Sequence, residues 1–285
     1  MAWINYLIHV AILITIYSIL TISLNWAVGF TGLLNLGHVA FFGIGAYAST
    51  LFAINGLPIW LSIIGGAIFA MIAGMLLALP TTRLKGDYLA LATLGFTFIM
   101  GSVARNWTNL TRGALGIPGI PRIARGNEAT LIVILIVAVA IYIIFWKISR
   151  SKFGKTCEAV RDDELAAKML GKDTFMHKVA ALGISALFAG VAGGLYAHFI
   201  TFIDPSIFSL GELILLFSMM IVGGLASVKG AAVGTIILFV IPEALRFVGM
   251  PSAILGPMRE IIFALILLLI LIYRPRGIFG KVDLA

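Results

Sequence analysis

From Met1 through Thr82 the chain carries no Asp, Glu, Lys or Arg. A run of that length without a charge has no stable form in water, because a soluble fold needs ionised groups to solvate its surface. Lipid is the solvent that suits it. A crossing helix takes about 20 mostly apolar residues, and it bonds every backbone N–H and C=O inside its own segment. The whole chain keeps the same balance, with 61% hydrophobic and 11% charged residues in 285 positions. The expected class is all-α: a polytopic transmembrane helical bundle in which residues 1–285 form one domain and little is left for a water-exposed one.

The apolar runs place spans at 4–24, 33–54, 57–79, 88–104, 129–146, 179–199, 212–227, 231–247 and 259–273, roughly nine crossings. The second is punctuated by Gly29, Gly32, Gly37, Gly43 and Gly45 and carries Asn35 and His38, so a broken or re-entrant segment is expected there. The Gly/Pro-rich stretch 105–128 reads as a loop, with room for a surface helix. The N-terminus lacks the basic region and cleavage site of a signal peptide, so its first apolar run is expected to be a span.

Orientation follows from the basic residues, which accumulate in cytoplasmic loops. Of the 20 Lys and Arg residues, fourteen fall on the side that holds the long polar segment 147–178 and the C-terminal tail. The other six are Arg105, Arg112, Arg122, Arg125, Arg246 and Arg259. The polar loop and C-terminus are therefore expected in the cytoplasm and the N-terminus outside. A re-entrant second segment would reverse the last of these. The charge of +8 reads as topology and attraction to a lipid surface, not as nucleic-acid binding. The lone Cys157 cannot form an internal disulfide.

Function concentrates in the polar loop. Between Glu158 and Leu170 helix formers dominate, no Gly or Pro intervenes, and Gly171 stands where a left-handed C-cap is expected. Val160, Ala166, Ala167 and Leu170 offer small or apolar contacts, and Arg161, Asp162, Asp163 and Glu164 charged ones. Such a helix suits a groove on another protein and is too polar for lipid. Gly154-Lys155-Thr156 has the tail of a phosphate-binding loop, but Ser149 and Arg150 leave its first glycine missing, so nucleotide binding by this chain is not expected.

Glu164-x-Ala166-Ala167-x-x-x-Gly171 resembles the cytoplasmic EAA loop of ABC importer permeases, with Leu165 departing from the general Glu-Ala-Ala pattern. The segment Gly29-Phe30-Thr31-Gly32-Leu33-Leu34-Asn35-Leu36-Gly37-His38 and its continuation to Tyr47 resemble branched-chain amino-acid permeases of the LivM type. So do 86–96, 159–164, 189–195, Gly223-Gly224-Leu225-Ala226-Ser227 and Tyr273-Arg274-Pro275-Arg276-Gly277, in one order from about residue 24 to 279. The resemblance implies a multi-pass subunit of the cell (inner) membrane that is not itself an enzyme. It also implies a second homologous permease, two ATPase subunits that carry the ATP and Mg, and an extracytoplasmic binding protein delivering a small amino acid. Arg161, Asp162, Glu164, Ala166, Ala167 and Gly171 would then couple to the ATPase. Other small solutes such as urea, amides or other amino acids fit a similar frame, and a secondary transporter is the rival class.

Asn35, His38, Gly43 and Gly193 are the candidate path residues, since discontinuous and Gly-rich helices build such routes. For His38, a lining role and a neutral imidazole bonded to a carbonyl fit equally well. His9, His38, His177 and His198 show no metal-ligand spacing. Gly190 with Gly194 and Gly230 with Gly234 have small-xxx-small spacing, which by default serves packing within the chain. Glu243 and Arg246 read as an i,i+3 pair, Glu212 as a carboxylate starting a span, and Asp204-Pro205 as an N-cap followed by proline.

Overall fold

The structure, a computed structural model, describes residues 2–84, 86–246, 252–274 and 276–280. Among them, five helices are long and apolar enough to cross a membrane. These are α1 (Ala2–Asn25), continued by a π-helical turn Trp26–Phe30, with α3 (Ile59–Thr81), α4 (Asp87–Asn106), α6 (Asn127–Arg150) and α9 (Thr174–Ile200). Four further apolar helices complete the bundle: α2 (His38–Ile54), α10 (Leu210–Gly223), α11 (Val228–Arg246) and α12 (Ser252–Tyr273). A one-turn helix α5 (Thr108–Thr111), and α7 (Lys152–Asp162) and α8 (Glu164–Met169), lie between spans. The nine expected segments are thus all helical, with α12 starting earlier than the sequence suggests and α10 ending sooner.

The centre of the bundle is α9, and glycine puts it there. A Cβ on Gly193 would strike the carbonyl of Phe42 in α2, one on Gly190 would meet Ala70 Cβ of α3 at 2.6 Å, and Gly45 of α2 sits on Gly190 itself. Without a hydrophobic force between helices in lipid, such backbone approach supplies the van der Waals contact that holds them. Gly230 and Gly223 face each other in the same way between α11 and α10, and Gly234 sits against the carbonyl of Met219. Both small-xxx-small pairs therefore pack within the chain. The outcome is graded burial, with 67% of the α9 window buried against 28% for α6, which presents its side chains outward.

The second segment is broken before α2. Past the π turn, residues 31–37 leave the helix before α2 starts at His38. Gly32 takes a left-handed φ of 72°, a conformation glycine adopts without strain. Unwound backbone at membrane depth needs partners. Here α4 supplies them: Thr93 Oγ1 accepts from the Leu36 amide at 3.0 Å and Thr97 Oγ1 donates to the Leu36 carbonyl at 3.1 Å. His9, near the start of α1, lies against Phe199 at the end of α9, whereas Gly29, past its far end, meets Arg161 of α7. The first residues thus sit on the face opposite α7 and α8.

A second break lies between α9 and α10. Residues Phe202–Ile203 pair antiparallel with Ile117–Pro118 of the long loop, and a 3-10 turn Pro205–Phe208 follows, with Asp204 Oδ1 accepting from the Ser206 amide at 2.7 Å. The N-cap and proline signature is realised, on a 3-10 turn. At the other end, the span expected to reach Ser227 stops at Gly223, because Gly224 (φ 106°) and Ala226 (φ 55°) turn the chain. Asn25 holds this turn: Nδ2 donates to the carbonyls of Gly224 and Ser227, both at 3.1 Å, and Oδ1 accepts from the Ala226 amide at 2.9 Å. The C-terminal tail docks beside it, Ile278 and Phe279 amides donating to Val222 and Gly223 carbonyls. The side chains of Glu243 and Arg246 lie outside the described residues.

Gly193→Val puts a branched side chain into the Phe42 carbonyl and should destabilise the detergent-purified protein by about 1–3 kcal/mol, read as a lower unfolding midpoint. Gly95→Ala, where the added Cβ meets nothing within 4 Å, should leave the midpoint unchanged or raise it.

Candidate functional site

The polar loop folds as two helices where one, 158–170, is expected. The break is at Asp163, whose backbone is extended (φ −154°, ψ 104°). Asp is a poor interior helix residue and a good cap. Its Oδ1 accepts from the amides of Leu165 and Ala166 at 2.9 and 3.0 Å, so it starts α8 instead of continuing α7. Ser151 caps α7 in the same manner through the Gly154 amide. The far end closes as expected at Gly171 (φ 75°), with its amide donating to Lys168 and that of Lys172 to Ala167, the paired bonds of a Schellman cap.

The capped pair is pinned to the bundle on two sides. Arg161 is turned inward, and its Nη1 donates to the Gly29 carbonyl at 2.8 Å, while Nε and Nη2 donate to Asp162 Oδ1 at 2.8 and 2.7 Å. Its Cγ lies 2.8 Å from where a Cβ on Gly32 would sit, so α7 touches the break between α1 and α2 directly. Phe153 stacks between Trp26 of the π turn and His177 of α9, with ring centroids 6.2 and 5.5 Å away. On the second side, Glu164 Oε2 accepts from Lys178 Nζ at 2.6 Å, and Oε1 from Lys168 Nζ and Thr174 Oγ1, each at 3.2 Å. Glu164 therefore fastens α8 to the start of α9. Partial burial works to raise its pKa, but the hydrogen bonds and charges of Lys178 and Lys168 outweigh it and hold the carboxyl below the ordinary 4.5. Burial pushes the Cys157 thiol up to about 12, which makes it inert packing.

The outward face differs from the one expected. Val160 and Ala167 are buried against the bundle, whereas Leu165, Met169 and Leu170 are 64%, 80% and 79% exposed. Their i, i+4, i+5 spacing gives one apolar ridge on α8 and its cap. A cleft of about 290 Å³ opens beside it, lined by Thr82, Arg83, Glu164, Leu165, Lys168 and Phe175, with the Arg83 guanidinium 5.6 Å over the Phe175 ring. Of the six residues expected at this contact, Asp162, Ala166 and Gly171 are exposed, and Arg161, Glu164 and Ala167 face inward. Leu165 and Met169 are the residues that sequence reasoning missed. Leu165 had stood out only as a departure from the Glu-Ala-Ala pattern.

The path candidates gather along the broken segment. Asn35 is buried, with Oδ1 accepting from the Gly37 amide at 2.9 Å and Nδ2 without a partner. His38 is buried between α1 and α9: Nε2 lies 2.9 Å from Ser23 Oγ and 3.2 Å from the Leu20 carbonyl, and Nδ1 lies 3.4 Å from Ser185 Oγ. These contacts tie α2 to α1 and α9. Gly43 sits under the Phe208 ring and Gly193 under the Phe42 carbonyl. Among the described residues no group of three His, Cys, Asp or Glu is placed to hold a metal ion.

The sequence matches the family described as branched-chain amino acid transport system / permease component over residues 6–271. The chain belongs to that family of membrane transport permeases. The permease is 33% identical to the high-affinity branched-chain amino acid transport system permease protein LivM of Escherichia coli (strain K12), over 95% of this chain and 69% of that one. It is 26% identical to the LivH permease protein of the same strain, over 93% and 91%. Among solved structures, a chain of PsaBC from Streptococcus pneumoniae has a TM-score of 0.50 at 16% identity, covering 94% of this chain and 91% of that one, and shares its fold. The permease is thus a multi-pass transport subunit and not an enzyme, and the two relatives from one strain indicate that such subunits occur as a pair in an ABC transporter.

The depressed pKa of Glu164 has a direct consequence. A carboxyl lowered in the folded state stabilises it fully above the unfolded value and loses that contribution as pH falls through the folded one. Hydrogen-exchange protection at the α8–α9 junction should therefore be flat from neutral pH down to about 5 and fall only below the ordinary carboxylate range. Glu164→Gln should lower protection at neutral pH and remove the acid step.

Proposed function

We propose that the permease passes branched-chain amino acids into the cytoplasm by alternating access, driven by two separate ATPase subunits that bind ATP and Mg and seat α7 and α8. The supporting observation is the ridge of Leu165, Met169 and Leu170, apolar and exposed in a loop too polar for lipid. Exposed apolar anchors on a rigid, doubly capped helix are what a partner groove takes. Asp162, Ala166 and Gly171 flank the ridge as further contacts. The substrate class rests on the family and on the LivM and LivH relatives. In this reading a LivH-like permease pairs with this one and an extracytoplasmic binding protein delivers the solute. The face carrying α7, α8 and the C-terminal tail is cytoplasmic, matching the excess of Lys and Arg there.

Force then has two short routes. Motion of α7 reaches the Gly29 carbonyl and the unwound residues 31–37 through Arg161, and motion of α8 reaches α9 through Glu164. The break that carries Asn35 and the glycine contacts of Gly43 and Gly193 lie on the elements so moved, so these residues bend and line the path while His38 holds α1 against α9.

The test is reconstitution with the ATPases, the second permease and the binding protein. Leu165→Glu with Met169→Glu should weaken co-purification with the ATPase by about tenfold or more and abolish ATP-driven leucine uptake. Arg161→Ala should leave the association intact and cut uptake per ATP hydrolysed. Retained association in the double variant, or uptake that continues without any ATPase, would overturn the reading, the second in favour of a secondary transporter.

A further inference from the structure

Glu212, in the first turn of α10, is half-buried and turned toward α1. Its Oε2 accepts from the Tyr17 hydroxyl at 2.9 Å, and Tyr17 is about halfway along the continuous helix Trp3–Phe30. A carboxylate at that depth is costly, and such groups face the bundle interior and pair with a cation. Among the described residues, none of the ion pairs includes Glu212. One tyrosine hydroxyl and the favourable end of a helix are its visible support.

Aromatic and acidic groups surround it. Tyr17 packs on Phe42 and Phe42 on Tyr196, with centroids 6.5 and 5.4 Å apart. Tyr196 lies within electrostatic range of both Glu212 and Asp204, and Tyr47, stacked on Phe208 at 6.0 Å, within range of Asp204. Tyr196, Asp204 and Glu212 are partly exposed. The Tyr47 hydroxyl is a second and independent sign of an absent partner: Tyr47 is only 7% exposed, and the oxygen has no hydrogen bond. Two carboxylates, a free phenol and ring faces make an environment that attracts a compact organic cation.

We infer that Glu212, Tyr17 and Tyr196 form the site where the permease takes the ammonium group of its substrate at mid-membrane. This rests on the branched-chain reading above and deepens it. An amino acid entering lipid depth keeps a charged ammonium, and Glu212 supplies the opposite charge that lipid cannot. Tyr17 orients the carboxylate, and the rings of Phe42 and Tyr196 accept the cation on their faces. The aliphatic side chain is left to the apolar lining, so the site selects an amine and not a chain length.

Two measurements test it in the complete transporter. In proteoliposomes, Glu212→Gln keeps the size of the side chain and removes its charge, and should lower leucine uptake by about tenfold or more in the assembled transporter. Tyr17→Phe should lower it less. In detergent, 3-methylbutylammonium, which carries the branched chain and the cation alone, should shift a carboxylate stretching band in the infrared difference spectrum of the wild type, and the band should be missing in Glu212→Gln. Uptake by Glu212→Gln at the wild-type rate, or a wild-type band that the ammonium leaves unmoved, overturns the site. If Glu212→Gln fails to assemble, the wild-type band and Tyr17→Phe uptake decide. A wild type that takes up no leucine while its band still responds overturns the branched-chain reading and leaves the ammonium site standing.

Discussion

Hydrocarbon offers no hydrogen bonds, so every departure from a continuous helix in this permease must be repaired by a side chain or by another stretch of backbone. The repairs define the architecture. Thr93 and Thr97 close the unwound stretch before α2, and Asn25 spends all three of its bonds on the turn between α10 and α11. The last carbonyls of a helix have no partner within it, and the one at Gly29 is met by Arg161 from the polar loop. The same constraint that forces the break to be sealed thus provides the point where the loop grips the bundle. Structure and the proposed coupling share one set of hydrogen bonds.

Rigidity between those points comes from backbone contact. Where Gly193 meets the Phe42 carbonyl and Gly45 meets Gly190, α2 and α9 touch without side chains between them, and packed interiors transmit displacement because they resist compression. In the proposed coupling, a push on α8 would enter α9 through Glu164, and a push on α7 would enter the junction of α1 and α2 through Arg161. Both inputs converge on the pair of helices that the glycines lock together. The aromatic and acidic residues around Glu212 lie along the same pair, on the side of α10.

Much of this was legible in the residues. An uncharged first third required lipid, apolar runs located the spans, and Gly171 marked the C-cap. The polar loop also stood out as the place to seek a partner. Its facing was not legible, because Asp163 reads equally as one more residue of a helix or as the cap of a new one. Taking it as interior gave a single helix 158–170 and rotated the assignment, putting Val160 and Ala167 on the outer surface and leaving Leu165 and Met169 without a role. Glu164 and Arg161, chosen as partner contacts, turned out to bind within the chain for the same reason. A glutamate that starts a span looks ordinary until Tyr17 is found beside it.

The sequence by itself determined the solvent, the helical class, the order of spans and the family, because these follow from composition and from patterns within single segments. Tertiary structure alone decided how the break in the second segment is sealed, that the loop folds as two helices with a Leu-Met-Leu ridge outward, and that Glu212 meets Tyr17 without a cation among the described residues. Those outcomes depend on pairs of residues far apart in sequence, Gly29 with Arg161, Thr93 with Leu36 and Tyr17 with Glu212. A hydrogen bond across such a distance leaves no trace in the periodicity of either partner, since each residue type suits several neighbours and packing alone selects one.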